Sequence, residues 1–184
     1  AFLAMALFAV NMYRKGEKKH PNTLALYWTL GAAIVSFIGA GLLGFAHTLP
    51  QTNLYTHGTL VTAMHGHLAF WGAYAMIVLA IISYSLPNLT GRKLYESTRG
   101  RMAFWMSNIG MIGMTVAFGV AGVAQVYLER KFKMEFMAVQ KEIEIHFIVL
   151  IICATLFMTG IILYFIDFYK HGRPNDEALE TATN

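Results

Sequence analysis

Residues 59–86 read TLVTAMHGHLAFWGAYAMIVLAIISYSL and contain no Asp, Glu, Lys or Arg. An apolar, uncharged run of this length can cross the hydrocarbon core of a bilayer as one helix, which takes about 20 residues. Only helices and closed barrels satisfy every backbone polar group inside lipid. The stretch therefore predicts a membrane-spanning helix. The two histidines near its start, His65 and His67, are candidates for function because ionisable side chains are costly within a membrane.

Three more runs resemble the first in length and composition, at residues 24–49, 102–128 and 143–169, and none contains Lys or Arg. Charged residues make up 13% of the chain and its mean hydropathy is +0.51, whereas soluble domains average about a quarter charged residues. Residues 1–13 are apolar but too few to span, and we interpret them as the end of a helix that starts upstream. The prediction is an all-α polytopic membrane protein with four complete transmembrane helices plus the end of a fifth.

Helix boundaries are marked by capping residues and prolines. Asn22 or Thr23 can cap the first complete span, Pro50 follows its end, and Pro87 is predicted to end the span that carries the two histidines. The glycine-rich stretch GAGLLG in residues 39–44 predicts close packing against another helix or a flat cofactor. Residues 173–184 lack an apolar period and are predicted to form a disordered tail after a bundle of residues 1–172.

The basic residues are distributed unevenly between the two ends of the predicted spans. Ten lie in alternate connections and the tail: Arg14, Lys15, Lys18, Lys19, Arg92, Lys93, Arg99, Arg101, Lys170 and Arg173. Four lie in the segment 129–142, and none lies in 50–58. The positive-inside rule places the ten in the cytoplasm with the C-terminus, and the segments 50–58 and 129–142 outside. These residues flank helices rather than forming a stripe, which argues against nucleic-acid binding.

His65 and His67 are two residues apart, so on a helix their side chains point about 200° apart. Pairs that chelate one metal lie three or four residues apart, as in HExxH. An i, i+2 pair instead presents its imidazoles to two different neighbours, and this suits two planar cofactors, each with an iron that takes one imidazole. The alternative is that each histidine hydrogen-bonds to a neighbouring helix. Phe70, Trp71 and Tyr74 could pack on the edges of such rings, but at helical spacing they are expected to be core residues.

Three other histidines lie near the outer ends of the spans. The segment before residue 59 is polar and uncharged, and His57, Tyr55, Thr59 and Asn53 could bind anionic groups or a cation there, or form an ordinary polar loop. His47 is expected to make a structural hydrogen bond. His146 is expected to be interfacial, with a role in proton transfer or partner binding as the alternative.

Residues 55–74, YTHGTLVTAMHGHLAFWGAY, resemble the large catalytic subunit of bacterial nitric oxide reductases, in the haem–copper oxidase superfamily. The resemblance extends to GAGLLGF at 39–45, HTLP at 47–50 and AGVAQ at 121–125. The superfamily shares the paired histidine, and the pattern HGTxxTxxHGHLAF is specific to the reductase branch. The resemblance implies a C-terminal fragment that holds the last five of twelve helices, the first of them incomplete.

The resemblance also implies a cofactor for each histidine. His65 would ligate a high-spin haem b3, and His67 would ligate a low-spin haem b. His57 would lie near the haem propionates and a calcium site. The ligands of the non-haem iron, and the other axial ligand of the low-spin haem, would lie in the remainder of the subunit. The intact protein would reduce two molecules of NO to N2O and water, with electrons passed from the low-spin to the high-spin haem.

The implied location is the bacterial inner membrane, in contact with lipid, with a cytochrome c subunit or quinol as the electron donor. Two other readings of the residues stay open. One is a di-haem electron-transfer anchor of a respiratory complex, without a catalytic centre of its own. The other is a non-redox helical membrane protein in which the histidines are structural or carry protons.

Overall fold

The computed structural model describes residues 22–89 and 98–171, together with scattered residues between 4 and 16. The predicted helix end at residues 1–13 lies mostly outside the described residues, and the predicted tail lies wholly outside them. Over residues 22–89 and 98–171 the chain forms helices and no strand. They are α1 (Thr23–Thr48), α2 (Pro50–Thr56), α3 (60–89), α4 (Thr98–Lys131), α5 (Phe136–Glu142) and α6 (Glu144–His171).

Four of these helices, α1, α3, α4 and α6, are long and apolar enough to cross a membrane, which confirms the predicted all-α polytopic fold. The short helices α2 and α5 lie in the two segments that were predicted to connect spans on the outer side. Three long helices contain a π-helical segment: Phe37–Leu43 in α1, Trp71–Ala75 in α3 and Tyr127–Lys131 at the end of α4. Such segments change the facing of the residues around them and often occur at functional sites.

Asn22 caps α1 because its side-chain oxygen accepts a hydrogen bond from the backbone N–H of Ala25, at 3.0 Å. The prediction that Pro87 ends its helix is wrong, because α3 continues through Leu89. Proline has no N–H to donate to the carbonyl four residues earlier, that of Ser83. The side-chain amide of Asn22 donates to this carbonyl at 2.9 Å, so the start of α1 satisfies the group that Pro87 leaves free.

The helices pack with α3 between α1 and α4, and with α6 along α4. Glycines make these contacts close. A Cβ atom at Gly39 of α1 would lie 2.7 Å from the backbone of Leu68 on α3, and one at Gly72 of α3 would lie 2.5 Å from the backbone N of Ser36 on α1. A Cβ atom at Gly110 of α4 would lie 2.5 Å from the backbone N of Phe157 on α6. Small residues are what allow backbones to approach in lipid, as the sequence predicted.

An aromatic cluster fills the centre of the bundle. Trp28 is completely buried, and its ring makes edge-to-face contacts with Trp71, Phe104 and Tyr164, at 6.2, 5.1 and 5.6 Å between ring centroids. These four side chains come from α1, α3, α4 and α6. The prediction of a core position is therefore confirmed for Trp71. It is wrong for Phe70 and Tyr74, because their side chains are 66% and 65% exposed in the described part of the chain. The cluster packs the four long helices against one another and helps to orient α3, the helix with the histidine pair.

Candidate functional site

His65 and His67 lie in the second turn of α3, and their imidazoles face different neighbours, as their spacing requires. The Nδ1 atom of His65 lies 2.9 Å from the carbonyl oxygen of Gly39, in the π-helical segment of α1. The Nδ1 atom of His67 lies 2.8 Å from the carbonyl oxygen of Ala63, one turn earlier on α3 itself. His65 thus faces α1, whereas His67 points away from it, toward Phe118 of α4 at 4.9 Å between ring centroids.

The hydrogen bonds assign the same tautomer to both rings. A carbonyl oxygen can only accept, so each Nδ1 atom carries the proton and donates it. A neutral imidazole with its proton on Nδ1 keeps the lone pair of Nε2, and this is the form that binds a metal. An Nδ1–H donated to a carbonyl also fixes the ring and raises the basicity of the ligating nitrogen. The geometry of both rings is therefore compatible with ligation through Nε2.

An apolar groove of about 670 Å³ opens beside His67 between α3, α4 and α6. Its volume is in the range of small-molecule and cofactor sites. It is lined by Ala63, Gly66, His67, Phe70, Trp71, Ala75, Met111, Phe157, Met158 and Ile161. A Cβ atom added at Gly66 would have no neighbour within 4 Å, so this glycine keeps the groove open rather than allowing a helix contact.

One imidazole beside an apolar wall and a glycine suits a haem, because the porphyrin itself would supply most of the donors to its iron. A metal bound by protein alone needs more donors. Within the described parts of the chain, no group of three or more His, Cys, Asp and Glu side chains could hold a metal ion.

His47 lies on α1 directly beside His65. Its Nδ1 atom donates to the carbonyl oxygen of Leu43 at 2.9 Å, the structural hydrogen bond that the sequence predicted. The two imidazoles are stacked, with ring centroids 4.9 Å apart and ring planes 25° apart. No pattern in the sequence indicates this contact, because it depends on how α1 and α3 pack.

The outer polar residues are arranged around the start of α3. His57 follows α2 and is exposed, as are Asn53 and Tyr55. Gly58 has a φ of +75°, so the chain turns there and does not run as one helix from His57 to His65. Thr59 is buried and caps α3, since its hydroxyl accepts from the N–H of Val61 and donates to the carbonyl of Thr56. Its hydroxyl therefore serves the cap, whereas the other three side chains face outward.

His146 lies at the start of α6, far along the chain from the pair on α3. Its Nδ1 atom lies 3.2 Å from the carbonyl oxygen of Ile143 in the preceding turn. This local hydrogen bond gives the ring a structural partner at the helix start. The suggested role in proton transfer or partner binding stays a prediction.

Gln125 is a residue of this site that sequence reasoning missed. It is buried, and its side-chain oxygen accepts the backbone N–H of Leu60 at 2.9 Å, while its amide donates to Glu129 at 2.9 Å. A Cβ atom added at Gly122, one turn earlier on α4, would clash with the backbone of Leu60 and Val61. The sequence does contain a signal for this role, because Gln125 is a polar side chain inside an otherwise apolar span and such a side chain requires a partner.

The chain matches the family model described as cytochrome c and quinol oxidase polypeptide I over residues 2–169. It is 41% identical over 180 residues to a nitric oxide reductase subunit of Stutzerimonas stutzeri, across 94% of this chain and 38% of that protein. It is 29% identical over 86 residues to cytochrome c oxidase subunit 1 of Corynebacterium diphtheriae, across 47% of this chain and 15% of that protein. The chain thus spans less than half the length of these relatives.

Proposed function

This chain belongs to the cytochrome c and quinol oxidase polypeptide I family, and we propose that it is part of the catalytic subunit of a nitric oxide reductase. The intact oxidoreductase would reduce two molecules of NO to N2O and water. The observation that carries the proposal is the pair of Nε2 atoms presented in different directions from one helix by His65 and His67. The 41% identity to a protein named as a nitric oxide reductase subunit supports the reductase over an oxidase.

In this proposal His65 is the axial ligand of a high-spin haem b3, and His67 is the axial ligand of a low-spin haem b. Haem would supply the iron centres that accept electrons and bind NO. The chain holds the ligands in place: the carbonyl of Gly39 orients the ring of His65, and the carbonyl of Ala63 orients that of His67. The non-haem iron would be bound by residues outside this segment, whereas exposed His57 would lie near the propionates and a calcium ion.

The proposed setting is the bacterial inner membrane, with α2, α5 and the connections around them outside and the C-terminus in the cytoplasm. The positions of the basic residues support this orientation. The remainder of the catalytic subunit, lipid, and either a cytochrome c subunit or quinol are the proposed partners. The polar, uncharged segment around α2 suits contact with the outer water phase.

The test is the optical spectrum of the intact protein and of two variants, His67→Ala and His65→Ala. We expect His67→Ala to lose the low-spin haem and to keep a high-spin haem whose bands shift when NO or CO is added. His65→Ala should lose the NO-reactive haem instead. His146→Ala is the matched control, because it removes a histidine outside the site, and both haems should survive.

Other outcomes separate the alternatives. Two low-spin haems that do not react with NO or CO in the parent protein would identify an electron-transfer anchor instead of a reductase. A parent protein without haem would exclude both. Survival of both haems in His67→Ala would refute the ligand assignment while leaving the family membership intact.

A further inference from the structure

The π-helical segment of α1 holds two imidazoles at once. The carbonyl of Gly39 accepts from Nδ1 of His65, and the carbonyl of Leu43, four residues on, accepts from Nδ1 of His47. Four residues are about one helical turn, so these carbonyls lie on one side of the segment. His65 and His47 come from different helices, α3 and α1, yet both are oriented by the same short piece of backbone.

The ring of His65 is bounded on three sides by α1. The carbonyl of Gly39 lies at Nδ1, and the ring of His47 covers one face at 4.9 Å. A Cβ atom at Gly44 would come within 3.3 Å of Cε1 of His65, so a glycine is what leaves room for that edge. His47 is only half-buried, but its Nε2 atom is buried and has no hydrogen-bond partner among the described residues.

These contacts restrict the ring of His65 in complementary ways. The hydrogen bond at Nδ1 sets the tautomer, but by itself it allows the ring to rock about the N–H···O axis. A stacked ring at 25° opposes that rocking, because tilting would bring the two imidazoles into contact. The direction of Nε2, and with it the ligand strength that an iron experiences, then depends on both neighbours.

We propose that His47 is a positioning residue for His65, and that its ring sets the plane of the imidazole that ligates the high-spin haem. This rests on the proposed function, in which His65 is that ligand. His47 acts through His65 and has no assigned contact with substrate. The stacked face is the operative contact, and the hydrogen bond to Leu43 is secondary to it.

Two substitutions of His47 separate the ring from the hydrogen bond. His47→Phe keeps an aromatic ring and removes both nitrogens, whereas His47→Asn keeps an N–H that can reach the carbonyl of Leu43 and removes the ring. His47→Leu removes both features. The control is His146→Leu, which removes a histidine that makes a similar local hydrogen bond to Ile143.

The readouts are the iron–histidine stretching band of the reduced high-spin haem by resonance Raman spectroscopy, and the midpoint potentials of both haems, in the purified intact protein. We expect His47→Leu and His47→Asn to shift and broaden this band and to shift the potential of the His65 haem alone. His47→Phe should stay close to the parent, and His146→Leu should match it. The haem at His67 serves as an internal reference in every sample.

An unchanged band and potential in both His47→Leu and His47→Asn would overturn the proposal. Equal shifts at both haems would also overturn it, because they would indicate a general loosening of the bundle. A shift in His47→Phe as large as that in His47→Leu would refute stacking as the operative contact. Absence of an NO-reactive haem from the parent protein would instead refute the proposed function, so the two failures can be told apart.

Discussion

Gly66 lies between the two histidines and lines the groove beside His67, where an added Cβ atom would meet nothing within 4 Å. Gly66→Val should therefore leave the helix packing intact and fill space that a cofactor would occupy. We expect normal amounts of protein in the membrane and a reduced haem-to-protein ratio, with the low-spin bands most affected. Immunoblotting of membranes and a haem assay of the purified protein measure the two quantities.

Gly72→Val is the matched control on the same helix. Its Cβ atom would lie 2.5 Å from the backbone of Ser36, so the substitution pushes α1 and α3 apart and should lower the amount of protein itself. If Gly66→Val retained a full complement of haem, the groove would not be the haem site. If the amount of Gly66→Val protein in the membrane fell as much as that of Gly72→Val, the role of Gly66 would be helix packing instead.

For single residues, the sequence predicted the directions of the His65 and His67 side chains, because helix geometry alone determines them. It also predicted a structural hydrogen bond for His47, but not its acceptor, the carbonyl of Leu43 one turn earlier on the same helix. It could not predict the stacking of His47 on His65, because that contact depends on the crossing of two helices far apart in the sequence. The role of each imidazole toward haem stays a prediction.

At the scale of helices, Gln125 connects α4 to the start of α3. Its side chain supplies the acceptor for the N–H of Leu60, which lies in the first turn and has no partner within its own helix. Gln125→Met keeps the shape of the side chain and removes that acceptor. Leaving a buried polar group without a partner costs about 1–3 kcal/mol. We expect a lower melting temperature and an equal loss of both haems, because the whole start of α3 is released.

The control for this change is Gln51→Met, which makes the same replacement at an exposed position on α2. Its melting temperature and haem content should equal those of the parent protein. Loss of only one haem in Gln125→Met would show that the residue acts on one ligand rather than on the helix. An unchanged melting temperature would show that water replaces the amide oxygen without cost.

The crossing of α1 and α3 gives a second prediction about helices. Gly39→Ala would bring a methyl group to 2.7 Å from the backbone of Leu68 and Ala69, whereas Gly41→Ala would make only ordinary contacts at 3.7 Å or more. Overpacking of this kind costs about 1–3 kcal/mol. We expect Gly39→Ala to lower the melting temperature in detergent and Gly41→Ala to leave it within error of the parent. An unchanged melting temperature in Gly39→Ala would mean that α1 and α3 accommodate the added methyl group without cost.

Hydropathy predicted the four long helices because an apolar segment inside a membrane satisfies its backbone most simply as a helix. Hydropathy could not predict the π-helical segments. The sequence stays apolar through them, so its hydropathy does not show where a turn contains an extra residue. The proline at position 87 also led to a wrongly predicted helix end. Asn22, at the start of α1, donates to the carbonyl that the proline leaves without a partner. Such compensation is a property of packing, and no local pattern reveals it.

For the whole molecule, much of the apolar surface of α4 and α6 is exposed, including Ile109, Val116, Ile152 and Phe165 at 55% or more. In water this surface would favour aggregation, whereas in a bilayer it faces lipid or further helices. The relatives are more than twice as long as this chain. The exposed groove beside His67 belongs to the same surface.

The orientation of the bundle is testable with single cysteines, because Cys153 lies within a span and can be replaced by serine. In that background we expect Gln51→Cys and Lys141→Cys to react with a membrane-impermeant maleimide in intact spheroplasts. Arg101→Cys, at the other end of α4 from the outer segments, should react only after the membrane is permeabilised. All three positions are exposed, so a difference in labelling reports the side of the membrane.

Two features make the labelling decisive. Gln51 and Lys141 lie in segments separated by α3 and α4, so an even number of crossings requires both to label on the same side. The charge asymmetry then determines which side, since Arg101 belongs to the basic set. Labelling of Arg101→Cys in intact spheroplasts, with protection of the other two, would invert the orientation and place the start of α3 toward the cytoplasm. Labelling of Gln51→Cys without Lys141→Cys would contradict the helix count itself.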